Sequence, residues 1–425
     1  MGLILMFVML AVMLTVGVPV AFALAASSLA YILVEGVPSV VLAHNMINGV
    51  DSFPLLAIPF FILAGHLMNT AGITNKIFAF ARALVGWMHG GLGHVNVGAS
   101  VLFAGMSGAA VADAGGLGTI EIKAMRDAGY DTDFSVGVTA ASSTIGPIIP
   151  PSLPLVIYGV MASVSIGELF TAGIVPGLLM AVALMVMVAW YARRRNYPRD
   201  ARFEFSRLWV TLRAAVLPLF TPAIIIGGIV TGAFTPTESA VAAVAYALFL
   251  GVVVYRTLTW RSLARVSMDT VQTSASILMI VASAAIFAWI LTAAQVANNL
   301  SEYLLAFTDN KFLILAIISV VVLVVGLFME TIAAITILVP VLLPVALAVG
   351  IDPVHLGIVL IMNLMLGLLT PPVGMVLYVL SQVSGVKFER CVSATMPFLV
   401  PLVIVLMIIT FIPSFALWLP NMLYR

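Results

Sequence analysis

Two halves of the chain share one pattern of backbone-breaking residues, offset by 221 positions. The matched pairs are Gly105 and Gly326, Gly129 and Gly350, Asp131 and Asp352, Gly146 and Gly367, Pro150-Pro151 and Pro371-Pro372, Glu168 and Glu389, and Pro176 and Pro397. Apolar residues match by chance in so hydrophobic a chain. Gly and Pro do so much less readily, because they occupy positions where the backbone turns or a helix breaks. The sequence therefore predicts two related halves with interruptions at equivalent places.

The composition restricts the chain to membrane proteins built from helices. Hydrophobic residues make up 63% and charged residues 8% of its 425 residues, whereas a soluble protein has about 25% charged residues. Stretches of about 20 apolar residues, the length that crosses a bilayer as a helix, recur along the chain. The alternating pattern of a transmembrane β-barrel is not visible. We expect an all-α polytopic membrane protein, with residues 3–33 forming one uncleaved first span.

The sequence also excludes several kinds of function. Cys391 is the single cysteine, so neither an internal disulfide nor a cysteine metal cluster can form. The histidines show no metal-ligand spacing, and the chain has no Gly-x-x-x-x-Gly-Lys motif for ATP. No acids and bases converge as an intramembrane enzyme would require. We therefore expect neither an enzyme nor an organic cofactor, a nucleic-acid partner or an ATPase partner.

Positive charge is concentrated in loops, and it sets the predicted topology. Two basic segments, residues 191–213 and 256–265, favour the cytoplasmic side because Lys and Arg are enriched there. When the spans are threaded between these segments, sixteen of the eighteen Lys and Arg residues become cytoplasmic. Lys311 and Arg425 are the two that lie outside. The N-terminus is expected in the cytoplasm.

Two segments must enter and leave on one face for this charge distribution to hold. They are residues 95–125 and 312–349, with Gly-containing tips at residues 104–108 and 326–331. Non-helical backbone at membrane depth is tolerated only inside protein or beside a water-filled cavity, and a hairpin packed on a partner helix satisfies that condition. The two halves then have opposite orientation. We expect inverted-topology repeats, each with a re-entrant helical hairpin.

Each hairpin is followed by a span that is broken in the middle, at Pro150-Pro151 and at Pro371-Pro372. Consecutive prolines remove helix donors and free carbonyl groups, which a monovalent cation can bind together with neighbouring hydroxyls. The hydroxyls are those of Ser107, Ser143, Thr144 and Thr370. Half-helix N-termini, by contrast, attract an anion. Paired breaks of this kind are typical of the ion and substrate sites of secondary transporters, and spans that are merely kinked by proline are the alternative.

Four motifs make the chain similar to a known family. They are Gly105-Met106-Ser107-Gly108, Ile149-Pro150-Pro151-Ser152, Thr370-Pro371-Pro372-Val373-Gly374 and the FPLLAIPFF stretch at residues 53–61. Over essentially its whole length the chain resembles the large permease subunit (DctM type) of tripartite ATP-independent periplasmic (TRAP) transporters. Such proteins belong to the ion-transporter superfamily and work as Na⁺-coupled elevators. The resemblance implies import of an organic acid, such as a C4-dicarboxylate or sialic acid, through the bacterial inner membrane.

The resemblance also implies partners and a division into domains. A small four-helix membrane subunit (Q subunit) is expected as a separate chain, because no fused segment precedes Met1, and a periplasmic substrate-binding protein would deliver the acid. Both hairpins and both broken helices would form a transport domain that moves against a scaffold. The expected divisions are residues 1–94 (scaffold and arm helices), 95–165 (transport), 166–311 (scaffold), 312–390 (transport) and 391–425 (C-terminal scaffold helix).

The resemblance places at least two Na⁺ sites at the tips and breaks. The first would be formed by Gly105, Ser107, Thr144, Gly146, Pro147 and Pro150. The second would be formed by Gly326, Gly367 and Thr370. The second tip has Phe328-Met329-Glu330 where the first has Ser107-Gly108-Ala109, so we expect the second site to depend more on backbone carbonyls.

Candidate substrate residues lie beside these sites. They are Ser143, Pro151, Asp113, Glu330 and Pro371. Acids inside a membrane are costly and indicate function, although Asp113 could equally serve hairpin packing. The charged residues at the base of the first hairpin are expected in a solvated loop: Glu121, Lys123, Arg126, Asp127, Asp131 and Asp133.

Other functions remain possible on the sequence alone. A stand-alone ion-coupled carboxylate exchanger of the same superfamily would need no binding protein. An ATP-driven permease would need its ATPase on another chain, and the inverted repeat argues against it. A passive channel would not need two occluding hairpins.

Overall fold

The chain is helical throughout the part that the structure describes. The computed structural model covers residues 2–200, 203–296, 299–300, 302–303, 308 and 310–424. Within these ranges the regular structure contains no β-strand, and seven helices are long and apolar enough to cross a bilayer. The predicted all-α polytopic class is confirmed.

The first repeat and its preceding helices occupy residues 2–195. The helices are α1 (Gly2–Thr15), α2 (Val20–Val34), α3 (Val40–Val50), α4 (Ala57–Thr70), α5 (Ile73–Val85), α6 (Gly91–Ser107), α7 (Ala110–Gly115), α8 (Leu117–Asp127), α9 (Thr132–Ser143), α10 (Leu153–Ala162) and α11 (Ile166–Arg195). A 3-10 turn, Phe53–Leu56, precedes α4.

The second half is also built from helices in the part that the structure describes. They are α12 (Phe205–Val230), α13 (Pro236–Phe249), α14 (Trp260–Ala293), α15 (Lys311–Gly326), α16 (Thr331–Ala348), α17 (Pro353–Gly367), α18 (Met375–Ser384), α19 (Phe388–Phe411) and α20 (Ser414–Tyr424). Thr235 and Glu238 form a reciprocal capping box at the start of α13, which is the helix start that Thr and an early acid favour.

Helices α6 to α8 form the first predicted hairpin (hairpin 1). Its two ends meet, because the backbone N–H of Leu92 donates to the hydroxyl of Tyr130 at 3.4 Å. The Tyr130 hydroxyl in turn donates to the carbonyl of Pro198 at 3.0 Å, just beyond the end of α11. Hairpin 1 therefore enters and leaves on the face where α11 ends.

Helices α15 and α16 form the second hairpin (hairpin 2), whose ends lie on the opposite face. The ring of Phe312, at the start of α15, packs 6.2 Å from the ring of Phe411 at the end of α19. The ring of His355, after hairpin 2, hydrogen-bonds the carbonyl of Ile409 at 2.8 Å. Both ends of hairpin 2 thus lie beside the C-terminal end of α19.

Helix α19 connects the two faces and establishes the inverted topology. Its first turn lies at the base of hairpin 1, where Arg390 donates to Asp133 at 2.6 Å, and its last turn lies at the base of hairpin 2. The hairpins therefore enter from opposite faces, as the charge distribution predicted.

The basic segments lie together on the hairpin 1 face. Ion pairs on this face join Arg82 to Asp200 of the first basic segment, Arg195 of the same segment to Asp131, and Arg390 to Asp133. The ammonium group of Lys76 lies 3.1 Å from the ring centroid of Tyr255, the residue directly before the second basic segment, which brings that segment to the same face. This clustering agrees with the predicted grouping of Lys and Arg, and the assignment of that face to the cytoplasm stays a prediction.

The N-terminal segment differs from the expected single span. α1 ends at Thr15 and α2 begins at Val20, with Gly17 at a left-handed φ of 89° and Pro19 before the second helix. The backbone N–H of Gly2 donates to Glu35 Oε1 at 3.0 Å, so the two helices fold back on each other. The expected single span is wrong because Gly and Pro together break the helix.

The helices form two packed groups, which contact each other through α14 and α16 and through α6 and α12. α19 packs against both α9 and α11, while α4, α12, α13 and α14 contact one another in sequence around the other side. The grouping joins α11 and α19 to the broken helices, although residues 166–311 and 391–425 were expected in the scaffold. The domain boundaries stay predictions.

Candidate functional site

The tip of hairpin 1 touches the first break. α6 ends at Ser107, Gly108 has a left-handed φ of 58°, and α7 begins at Ala110. A Cβ added to Gly108 would lie 2.6 Å from the carbonyl oxygen of Pro151. Only glycine fits both this backbone conformation and this close approach. The structure does not describe the side chain of Ser107.

Gly105 packs away from the break. A Cβ at this position would lie 2.5 Å from Cγ of Pro222 on α12. Pro218 and Pro222 both lie inside α12. Gly105 therefore provides the close approach of hairpin 1 to the second group of helices, a role that the sequence did not suggest.

The first break is a buried, non-helical stretch between α9 and α10. Ser143 is the last residue of α9, and the break holds Thr144, Gly146, Pro147, Pro150 and Pro151; all six are buried. The hydroxyl of Ser143 donates to the carbonyl of Ala140 at 2.8 Å, and that of Thr144 donates to the carbonyl of Ala141 at 2.6 Å. The hydroxyl of Ser152 donates to the carbonyl of Pro147 and accepts from the N–H of Leu155 at 3.2 Å. Both breaks contain a cis Pro-Pro bond.

The second break meets the tip of hairpin 2 in the same way. A Cβ added to Gly367 would lie 2.5 Å from the carbonyl carbon of Gly326. The backbone N–H of Val373 donates to the carbonyl of Leu327 at 3.3 Å, and Thr370 Oγ1 donates to the carbonyl of Leu366 at 2.7 Å. The three residues predicted for the second ion site are therefore brought together around one tip.

Glu330 caps the returning arm of hairpin 2. Its Oε2 accepts hydrogen bonds from the backbone N–H groups of Ile332 at 2.9 Å and Ala333 at 3.2 Å. These are donors that the first turn of a helix leaves without partners. The acid was predicted as a substrate residue, and the structure gives it a capping role at the same position.

A cavity of about 100 Å³ lies where both tips and both breaks converge. Its lining comprises Ala109, Ala110, Val111, Pro147, Leu153, Pro154, Glu330, Thr331, Ile332, Met365, Leu368 and Met375. These residues include the first turns of α10, α16 and α18. Glu330 is the only charged side chain in this lining, and no Lys, Arg or His contributes to it.

The remaining residues predicted to bind substrate do not line this cavity. Ser143 ends α9, Pro151 lies in the first break, and Pro371 lies in the second, half-buried. Asp113 lies in the interior of hairpin 1, with 2% of its surface exposed. The structure thus brings tips and breaks together, while it separates Asp113 from the cavity lining.

One residue at the base of hairpin 1 does not fit the expected solvated loop. Glu121 is only 2% exposed, so the expectation is wrong for this acid. α8 continues to Asp127, and Glu121 lies on its buried face between two isoleucines in sequence. That apolar setting, Ile120 and Ile122, was the signal available. Asp131 and Asp133, in contrast, have exposed side chains in ion pairs with arginines.

The described residues contain no group of three or more His, Cys, Asp or Glu side chains that could hold a metal ion.

The amino-acid sequence is similar to those of known proteins over almost the whole length of the chain. Residues 7–415 match the family model described as the DctM component of the tripartite ATP-independent periplasmic transporter. The chain is 49% identical over 407 residues to the sialic acid TRAP transporter large permease protein SiaM of Vibrio cholerae, covering 96% of this chain and 95% of SiaM. It is 41% identical to the sialic acid TRAP transporter permease protein SiaT of Haemophilus influenzae, covering 96% of this chain and 66% of SiaT.

A solved structure shares the fold at low sequence identity. The YdaH transporter of Alcanivorax borkumensis superposes with a TM-score of 0.67 at 14% identity, covering 89% of this chain and 88% of that one. Three observations point to the same family: the motifs at the tips and breaks, the match to the family model, and the sequence identity to large permeases. The chain belongs to the DctM family, the large permease component of tripartite ATP-independent periplasmic transporters.

Proposed function

We propose that this chain imports an organic acid together with Na⁺, as the large permease of a TRAP transporter in the bacterial inner membrane. The observation that carries the proposal is the cavity at which the first turns of α10, α16 and α18 converge. Helix N-termini point free N–H groups and partial positive charge toward an anion. Inverted repeats with broken helices are typical of secondary transporters whose site lies at that junction.

Na⁺ binding at the two breaks is supported by the direction of the hydroxyl hydrogen bonds. The hydroxyl hydrogens of Thr144 and Thr370 are both donated to carbonyls of the preceding helix. Each hydroxyl oxygen is left with lone pairs only, which can accept from a donor or coordinate a cation. The first site would use Gly105, Ser107, Thr144, Gly146, Pro147 and Pro150. The second would use Gly326, Gly367 and Thr370.

The charge in the cavity favours one class of acid. Glu330 occupies the N-terminus of α16 with its own carboxylate, whereas α18 begins at Gly374 without a side-chain cap. A substrate carboxylate would therefore lie toward α10 and α18. A second carboxylate near Glu330 would be repelled, while hydroxyl groups could donate to it. We expect a hydroxylated monocarboxylate such as sialic acid, for which SiaM and SiaT are named, to be preferred over a C4-dicarboxylate.

Movement of the site as a unit is supported by the packing. Hairpin 1 packs on α9 and α18, hairpin 2 packs on α10 and α17, and α11 and α19 pack on both broken helices. In the second group, α13 packs on both α4 and α12, and α14 packs on α4. We propose that the first group slides against the second as an elevator. The small Q subunit would flank the second group, and a periplasmic binding protein would deliver the acid to the first.

Uptake by proteoliposomes tests the proposal. The permease and its small subunit would be reconstituted, with a cognate binding protein carrying labelled sialic acid or succinate outside. Uptake should require an inward Na⁺ gradient and the binding protein together. Uptake that continues without binding protein would favour the stand-alone exchanger, and uptake without any Na⁺ gradient would reject Na⁺ coupling.

A further inference from the structure

Hairpin 1 contains two buried acids. Asp113 on α7 and Glu121 on α8 are each 2% exposed. Both carboxyl oxygens of Asp113, and Oε1 of Glu121, are buried and make no hydrogen bond. In the described part of the chain neither acid belongs to an ion pair. Neither lines the cavity between the tips, so the proposed transport site leaves them unexplained.

The two acids share one interior environment. The helices that carry the two acids, α7 and α8, pack against each other. A Cβ added to Gly118, in the first turn of α8, would lie 3.7 Å from the carbonyl oxygen of Asp113. Helices α6, α8, α9 and α18 all pack against α7. The pair therefore lies inside the group of helices that carries the transport site, away from lipid and water.

No positive charge on the surrounding helices compensates the pair. Their other titratable side chains are His94 on α6, Lys123, Arg126 and Asp127 on α8, Asp133 on α9 and Tyr378 on α18. Lys123 and Asp127 are exposed, and Tyr378 stacks on Phe388. Asp133 is bound to Arg390, Arg126 Nε has no partner, and His94 makes no hydrogen bond through either ring nitrogen.

An ionised carboxylate is strongly unfavourable in such a place. A buried carboxyl without a counter-charge neutralises rather than remain charged. A proton removes this cost, because a protonated carboxyl is neutral and can donate a hydrogen bond. We propose that Asp113 and Glu121 form a proton-binding site inside hairpin 1 that is occupied in the conformation described here.

The position of the site links the proton to the hairpin. Asp113 is five residues beyond Gly108, whose close contact with Pro151 holds the tip against the first break. A charge created at Asp113 would favour a position in which water reaches the interior of the hairpin. Protonation therefore favours the packed tip and deprotonation favours its opening, since a ligand that binds one conformation better shifts the equilibrium toward it.

Infrared spectroscopy of the purified protein in lipid tests the site directly. A protonated carboxyl has a C=O stretch that a carboxylate lacks. At neutral pH the wild type should show this band, and Asp113→Asn and Glu121→Gln should each lose part of it. Glu204→Gln, at an exposed acid before α12, should leave the band unchanged. Equal bands in the wild type and both variants would overturn the proposal.

Addition of Na⁺ shows whether the site binds a proton or a metal cation. The band should be the same with and without saturating Na⁺, and its loss on Na⁺ addition would identify a cation site instead and overturn the proton assignment. The spectra require no transport, so they test this site independently of the substrate and of Na⁺ coupling. In uptake assays we expect the wild-type rate to fall at alkaline pH, where the acids lose their protons, and the Asp113→Asn/Glu121→Gln variant to lack this fall. A wild-type rate without such a fall, or the same pH profile in both proteins, would contradict the link to the hairpin.

Discussion

At the scale of single residues, glycine contacts hold the tips against the breaks. Gly367→Ala would place a Cβ 2.5 Å from the carbonyl carbon of Gly326, and backbone cannot move aside as a flexible side chain can. We expect a loss of about 1–3 kcal/mol in stability from this overpacking, together with a weaker Na⁺ dependence of uptake. Thermal unfolding with and without Na⁺, and uptake against Na⁺ concentration, measure the two effects.

Gly227→Ala is the matched control for this substitution. Gly227 lies inside α12, and a Cβ there would meet no atom within 4 Å. Its replacement by alanine should be neutral or slightly stabilising, because glycine in a helix interior is less favourable than alanine. If both variants kept wild-type stability and Na⁺ response, the contact between Gly326 and Gly367 would not matter for the second site.

Glu330 is expected to set the choice between mono- and dicarboxylates. Glu330→Gln keeps an oxygen that can accept from the N–H groups of α16 but removes the negative charge from the cavity. We expect the ratio of dicarboxylate to monocarboxylate uptake to rise by about tenfold, which corresponds to about 1.4 kcal/mol. Competition between labelled sialic acid and succinate measures that ratio.

Glu238→Gln provides the comparison for Glu330→Gln. Glu238 also bonds the backbone at a helix start, on α13, but is exposed and outside the cavity. The Glu238→Gln substitution should leave the ratio of dicarboxylate to monocarboxylate uptake unchanged. An unchanged ratio in Glu330→Gln as well would remove this acid from the selection of substrate.

At the scale of elements, hairpin 1 and α12 meet through one close contact. Gly105→Ala would place a Cβ 2.5 Å from Cγ of Pro222 and should slow uptake by disturbing the packing between the two groups of helices. Pro222→Ala removes the ring and should restore part of the rate in the double variant. A double-mutant cycle on the initial uptake rate measures this coupling.

The same cycle distinguishes packing from ion binding at Gly105. The backbone carbonyl that would bind Na⁺ remains in Gly105→Ala, so a defect caused by ion binding alone would not be relieved by a change at Pro222. Additive effects of the two substitutions would show that the contact does not limit transport.

Element boundaries were predictable where Gly, Pro and charge coincide, and less so elsewhere. The breaks at Pro150-Pro151 and Pro371-Pro372 lie where the sequence predicted, because two prolines leave no continuous helix. The turn between α1 and α2 has the same cause, Gly17 and Pro19, but its apolar neighbours concealed it within one long hydrophobic stretch. Glu121 was missed because its charged neighbours suggested a loop, whereas burial depends on how α8 packs.

At the scale of the whole molecule, the repeat and the charge distribution were sufficient to predict the inverted topology. Matched Gly and Pro positions located both hairpins, and the Lys and Arg count required them to enter from opposite faces. The grouping of helices was not predictable in this way. α11 and α19 pack with the broken helices through apolar side chains, and in a chain this hydrophobic such contacts have no distinguishing pattern in the sequence.

Surface labelling tests the topology of the complete chain. In a Cys391→Ser background, which removes the single buried cysteine, Glu204→Cys and Lys311→Cys mark the hairpin 1 and hairpin 2 faces. Both positions are exposed. A membrane-impermeant maleimide added to spheroplasts, in which the outer membrane is removed and the inner membrane is intact, should label residue 311 only, because basic loops remain in the cytoplasm.

A third position tests the same topology. Lys387→Cys should behave like residue 204, since it precedes the turn of α19 in which Arg390 pairs with Asp133. Labelling of residues 204 and 311 from the same side would contradict the inverted repeat, and labelling of residue 204 alone would reverse the orientation while preserving the fold.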